Sequence, residues 1–210
     1  MQGLLGTTLI LLAACSLAAM ATAAFRVPAL LGYLSVGVVL GPSVIGVIAP
    51  GETLSFLSEL GVALNNAAIA GKPDDLVINT HVCRGNYHST WASRGGYAPI
   101  APILFAHENV DAFYLEFDDE RSGSFEPLQY VADGKKVVLG LITTKSPRLE
   151  DKSAVIARIH EAEKYIPLDR LCLSPQCGFA SCEIGNKLTD LEQWNKLKLV
   201  KEIAEEIWGK

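Results

Sequence analysis

Hydrophobic and polar positions follow two different regimes along this chain. Residues 4–24 and 27–48 contain no charged side chain, and Phe25 and Arg26 separate the two runs. Each run is long enough to cross a bilayer as a helix. Small residues and Pro42 are tolerated in such helices where neighbouring helices cover the backbone. The pattern predicts an α-helical transmembrane hairpin that anchors the chain through residues 4–48. One arginine is too little to orient it. Ala21-Thr22-Ala23 also matches a secretory cleavage site, but Met1-Gln2-Gly3 lacks the basic segment that precedes one.

After residue 64 the pattern changes. Residues 65–75 are polar, contain Gly and Pro, and read as a junction. Beyond them, strand-like and helix-like runs alternate. Strands are predicted over 76–83, 112–117, 136–142 and 171–173. Helices are predicted over 97–107, 151–165 and 189–208, with a short helical piece over 126–131. Val155, Ile156, Ile159 and Ala162 form one apolar face, and Trp194, Leu197, Val200, Ile203, Ala204 and Ile207 form another. Four strand–helix repeats imply parallel strands with right-handed crossovers. The fold class is α/β: the C-terminal half of a (β/α)8 barrel over 76–210, preceded by the hairpin over 1–64. Four strands leave two edges and one interior face open, and self-association of two half-barrels would close them.

Charge and cysteine content narrow the functional classes. The net charge is −5, and Arg26, Glu52 and Glu59 are the only charged residues before Lys72. Without a basic stripe there is no electrostatic footprint for nucleic acid. The five cysteines, Cys15, Cys83, Cys172, Cys177 and Cys182, are odd in number and lack the spacing of a secreted disulfide framework. Reduced thiols acting as metal ligands or core fillers fit better.

The candidate chemistry lies at predicted strand ends, where a β/α barrel carries its active site. His81 and Cys83 close the first strand, and alternate strand residues share a face. Glu116 closes the second, and Cys177 follows the fourth in a turn flanked by Pro175 and Gly178. One imidazole, two thiolates and one carboxylate suit Zn2+. Cys172 and Cys182 read as core residues, and His88, His107 and His160 as ordinary loop or helix-face histidines. Asp118, Asp119, Glu120 and Arg121 form a charged loop whose default state is solvated. Asp118 is close enough to Glu116 in sequence to hold a substrate amine.

Thr80-His81-Val82-Cys83-Arg84-Gly85-Asn86 and Leu171-Cys172-Leu173-Ser174-Pro175-Gln176-Cys177-Gly178-Phe179-Ala180 resemble the cobalamin-independent methionine synthases, most closely the short single-barrel homologues. The resemblance runs from about residue 66 to 209. It implies zinc held by His81, Cys83, Glu116 and Cys177, with homocysteine and a methylated folate as substrates in a cytoplasmic enzyme. The larger methionine synthases carry a proton-transfer histidine after the third of these strands. This chain has Leu141-Ile142-Thr143-Thr144-Lys145 there, so Lys145 or a water is the expected substitute. The family's earlier half-barrel has no counterpart here, and an incomplete fragment of low activity is expected. A sister reaction on the same ligands, epoxyalkane:coenzyme M transfer, is the alternative.

Residues 4–64 resemble the start of a cation:proton antiporter, through Arg26-Val27-Pro28-Ala29-Leu30-Leu31-Gly32-Tyr33, Gly41-Pro42-Ser43 and Leu57-Ser58-Glu59-Leu60-Gly61-Val62. This likeness implies a membrane-anchored fragment without catalysis, because transport needs ionisable groups on later helices.

Overall fold

A computed structural model describes residues 2–24, 52–180 and 182–209. The chain divides into two compact units, Met1–Leu60 and Gly61–Lys210. In the first, Gln2–Ala24 forms helix α1. Its Ser16 and Thr22 hydroxyls donate back to the carbonyls of Leu12 and Ala18. Among the described residues no helix is long and apolar enough to cross a membrane. The expected transmembrane hairpin and its membrane anchoring are therefore not supported, and the expected second span, 27–48, lies outside the described residues.

Helix α2, Glu52–Ile69, runs into the stretch expected as a junction. Its last turns belong to the second unit and are fastened there by side-chain amides. Asn65 Nδ2 donates to Glu108 Oε1 at 2.6 Å, and Asn66 Nδ2 donates to the His107 carbonyl at 2.8 Å. Asn66 Oδ1 accepts from Asn109 N.

The second unit continues with β1 (Asn79–Val82), α3 (Ala101–His107), β2 (Ala112–Glu116), β3 (Lys136–Ile142), α4 (Lys152–Ala162), β4 (Leu171–Pro175) and α5 (Asp190–Trp208). The strands form one parallel sheet in the order β1-β2-β3-β4. This is the expected half-barrel arrangement. Alternation along the strands sends Phe113, Leu115, Val137, Leu139 and Leu171 into a core shared with Phe105 of α3, Ile159 of α4 and Leu199 and Ile203 of α5. The opposite face bears His81, Tyr114, Glu116, Gly140 and Ser174, and Tyr114 is 37% exposed.

Two helices differ instructively from the periodicity. Helix α3 starts at Ala101 rather than residue 97. Tyr97 precedes it in a turn and packs its ring on Phe105 and Phe117, with centroids 5.9 and 5.2 Å away. Helix α5 begins in a capping box between Thr189 and Glu192, but its buried stripe is Lys196, Leu199 and Ile203. Trp194, expected on that stripe, is 66% exposed. The register is rotated because Lys196 is wholly buried and paired with Glu150, at 2.9 Å. Hydropathy alone gives a lysine to the solvent side.

Candidate metal centre

The register of β1 on β2 sets His81 beside Tyr114, and both point to the open face. His81 Nδ1 lies 3.1 Å from the Tyr114 carbonyl oxygen. A carbonyl only accepts, so Nδ1 carries the proton and Nε2 keeps its lone pair. That Nε2 faces Glu116 Oε1 at 3.9 Å.

The loop after β1 then turns sharply. Gly85 has φ +87, and a Cβ there would meet Ala92 at 2.8 Å, so glycine is required. The turn aims two successive amides at the centre. Arg84 N donates to Glu116 Oε1 at 2.8 Å, and Gly85 N points to Cys83 Sγ at 3.4 Å.

Glu116 is fully buried. Its backbone is clamped by the Tyr97 hydroxyl, which accepts from Glu116 N at 2.9 Å and donates to Glu116 O at 3.2 Å. Burial, the largest influence, raises the Tyr97 pKa above its ordinary value despite the neighbouring Arg84, which keeps the hydroxyl a proton donor. Cys177 follows β4. There the ladder to β3 shifts register between Gly140 and Ile142, and Gln176 N donates to the Ile142 carbonyl at 2.8 Å.

The ligand atoms of His81, Cys83, Glu116 and Cys177 all lie within 4.8 Å of one another. Cys172 and Cys182 do not join them. A cavity of about 290 Å³ opens beside this cluster, lined by His81, Tyr114, Ser174, Pro175, Gln176, Cys177 and Gly178. One nitrogen, two sulfurs and one carboxylate oxygen at that separation are a possible metal site, with a donor set suited to a four-coordinate ion. The His81 tautomer is already fixed by a carbonyl, as is common for metal-ligating histidines.

Asp118 and Lys145 sit one layer out, and their setting differs from expectation. The charged loop is not solvated at Asp118 and Arg121, whose side chains are 1% and 3% exposed. Asp118 Oδ2 pairs with Lys145 Nζ at 2.5 Å, and Oδ1 accepts from Arg121 Nη2 at 3.0 Å. Burial pushes the Asp118 carboxyl up, but hydrogen bonds and charge from Lys145, then Thr143 and Arg121, hold it below the ordinary value. Both oxygens are thus engaged by cations of the protein itself rather than free for a substrate amine. Arg84, Tyr97, Asn86 and Arg121 carry no signal in hydropathy. Only the Arg84-Gly85-Asn86 run next to Cys83 hints at them.

The family described as cobalamin-independent synthase, catalytic domain, matches residues 55–205. The chain is 52% identical over 159 residues to the uncharacterized protein YxjG of Bacillus subtilis (strain 168), across 75% of this chain and 42% of that protein. It is 26% identical over 143 residues to a 5-methyltetrahydropteroyltriglutamate–homocysteine methyltransferase of Saccharophagus degradans, across 66% of this chain and 16% of that one. Among solved structures, it resembles the putative vitamin-B12 independent methionine synthase of Listeria monocytogenes at 40% identity and a TM-score of 0.57. That match covers 73% of this chain and 42% of that one. The chain therefore spans less than half the length of these relatives. The antiporter likeness of residues 4–64 is not borne out, because the family match already begins at residue 55.

Proposed function

This chain belongs to the cobalamin-independent methionine synthase family through its catalytic domain, and we propose that it carries the zinc-thiolate centre for methyl transfer from a methylated folate to homocysteine. The observation that carries this reading is the convergence of His81, Cys83, Glu116 and Cys177 within 4.8 Å. Softer divalent ions share parts of this donor set, but one imidazole and two thiolates beside a carboxylate match zinc best.

When bound, zinc supplies the Lewis acidity that lets a thiol ionise near neutral pH. The chain's own groups do the rest. Tyr114 fixes which His81 nitrogen is free. Arg84 N and Gly85 N hold Glu116 Oε1 and Cys83 Sγ in place. The adjoining cavity has room for a small amino-acid thiol over Tyr114 and Ser174. Lys145 Nζ lies 2.5 Å from Asp118 Oδ2. Together the two brace the ends of β2 and β3, and Lys145 is the cation nearest in sequence to the place where longer family members keep a histidine.

Elemental analysis of purified chain should find one zinc per polypeptide, lost in Cys83→Ser and Cys177→Ser and kept in Cys172→Ser and Cys182→Ser. Cobalt-substituted protein should change its sulfur-to-cobalt absorption when homocysteine is added. Equal zinc in all four variants would reject the ligand assignment. An unchanged spectrum would reject homocysteine as the thiol.

A further inference from the structure

The two oxygens of Glu116 are in different situations. Oε1 faces His81 Nε2 at 3.9 Å, on the cluster side. Oε2 accepts from Arg121 Nη2 at 3.2 Å. Arg121 lies outside every strand, in the 3₁₀ turn Glu120–Ser122, yet its side chain is only 3% exposed. Its other contacts fix its plane. Nε donates to Asp119 Oδ1 at 3.0 Å, and Nη2 also reaches Asp118 Oδ1 at 3.0 Å. The guanidinium carbon stands 5.2 Å from the centre of the Trp91 ring. A flat fork with several donors satisfies these partners at once, and a lysine ammonium on a flexible stem does not.

We propose that Arg121 is a positioning residue of the metal centre: it occupies Glu116 Oε2 and so presents Oε1 alone to the ion. The inference rests on the metal reading given above. With one oxygen committed to Arg121, the protein would offer four donor atoms rather than five, the number a four-coordinate ion takes. The same guanidinium offsets the repulsion among Glu116, Asp118 and Asp119, two of which are buried. Without it, the carboxylate of Glu116 loses its orientation and keeps only the Arg84 amide.

Partners that orient a metal ligand typically change metal affinity by about 10–100-fold when removed. Zinc affinity should be measured by competition with a chromophoric chelator on the whole chain, in wild type, Arg121→Gln, Glu116→Gln and the double variant. Arg121→Gln should weaken zinc by about 10–100-fold, with the two sulfur-to-cobalt bands retained on cobalt substitution. In the Glu116→Gln background the same change should cost almost nothing further, because Arg121 acts through that carboxylate. Arg121→Lys, which keeps charge but not the fork, should fall between wild type and Arg121→Gln and decides the matter if the glutamine variant does not fold. Wild-type affinity in both Arg121 variants, or an equal loss in the two Glu116 backgrounds, would overturn the positioning role alone. Failure of wild type to compete for zinc would overturn the metal reading and this inference with it.

Discussion

Asn186 donates from Nδ2 to Asn86 Oδ1 at 2.9 Å, joining loops 100 residues apart in the chain. The same Nδ2 reaches the Thr144 carbonyl at 2.8 Å, and Asn186 Oδ1 accepts from Ser89 N at 2.9 Å. Asn86 in turn donates to the Gly178 carbonyl at 2.5 Å, one residue beyond Cys177. The loops after β1, β3 and β4 are thereby tied together, and two of them carry Cys83 and Cys177. Both asparagines thus bridge loops that are distant in sequence.

Replacing Asn186 with Ala removes these contacts and leaves buried Asn86 short of a donor. A buried polar group left unsatisfied costs about 1–3 kcal/mol. Urea unfolding of metal-free Asn186→Ala should show a loss in that range, with far-UV circular dichroism unchanged. Zinc affinity should fall as well, because the two cysteine loops are no longer held together. Unchanged stability and affinity would show that the loops are held by other contacts.

The buried Lys196–Glu150 pair makes a second stability prediction. Lys196 Nζ lies 2.9 Å from Glu150 Oε2 and donates to the Arg148 carbonyl at 2.7 Å, while Glu150 Oε1 accepts from Thr143 N. Lys196→Ala leaves a carboxylate without its cation and a void under α5. Breaking a buried pair by removing one partner costs about 3–5 kcal/mol. Glu150 retains 18% side-chain exposure, which puts the expected loss at the lower end, about 3 kcal/mol. Lys196→Met keeps the apolar stem and should lose less. Guanidinium denaturation of both variants checks the order.

Much of this architecture is legible in the sequence, and the misplacements within the second unit share one cause. The run Lys136–Ile142 reads as a buried strand because its Val, Leu and Ile positions leave no solvent face, and β3 has those bounds. The quartet is legible as residues at strand ends, but its convergence depends on the register of His81 on Tyr114 and on the shift at Gly140. Neither can be seen one segment at a time. Lys196, Asp118 and Arg121 are misplaced by composition, which assigns charges to the surface, since their burial is compensated only by partners distant in sequence or across a loop. Tyr97 looks like helix, and its hydroxyl's hold on the Glu116 backbone is a tertiary fact that overrides local propensity.

Asp111 gives a pH-dependent prediction away from the metal centre. Its carboxylate accepts from Ile78 N at 2.7 Å and faces Lys72 Nζ at 3.4 Å, joining the chain before β1 to the start of β2. The Ile78 hydrogen bond, opposed by burial and aided by Lys72, holds its pKa below the ordinary 3.8. A carboxyl depressed by folding contributes stability above its unfolded value and loses that contribution as pH falls through the folded value. The advantage of wild type over Asp111→Ala should therefore be full at neutral pH and begin to shrink below about 3.8. Urea midpoints taken across the acid range check it. A gap that stays constant down to the lowest pH would mean that the ionised form is not what matters.

Gly140 is where the sheet leaves no room for any side chain. A Cβ there would meet Gln176 Cα at 2.6 Å and the Leu115 carbonyl oxygen at 2.8 Å. Both obstacles are backbone, on β2 to one side and just past β4 on the other, so neither can rotate away. Gly140→Ala must push the β3–β4 pair apart at the register shift, and forcing atoms into a packed site typically costs about 1–3 kcal/mol. The displaced segment begins at Gln176, whose Oε1 accepts from Thr144 N at 2.6 Å and whose next residue is Cys177. Calorimetry should therefore show a lower melting temperature for Gly140→Ala. Chelator competition should show a larger loss of zinc affinity than an equally destabilising change in the helix-side core, such as Ile159→Val. Comparable zinc affinity in the two variants would mean that Cys177 is positioned by its own turn and not by the close approach of β3.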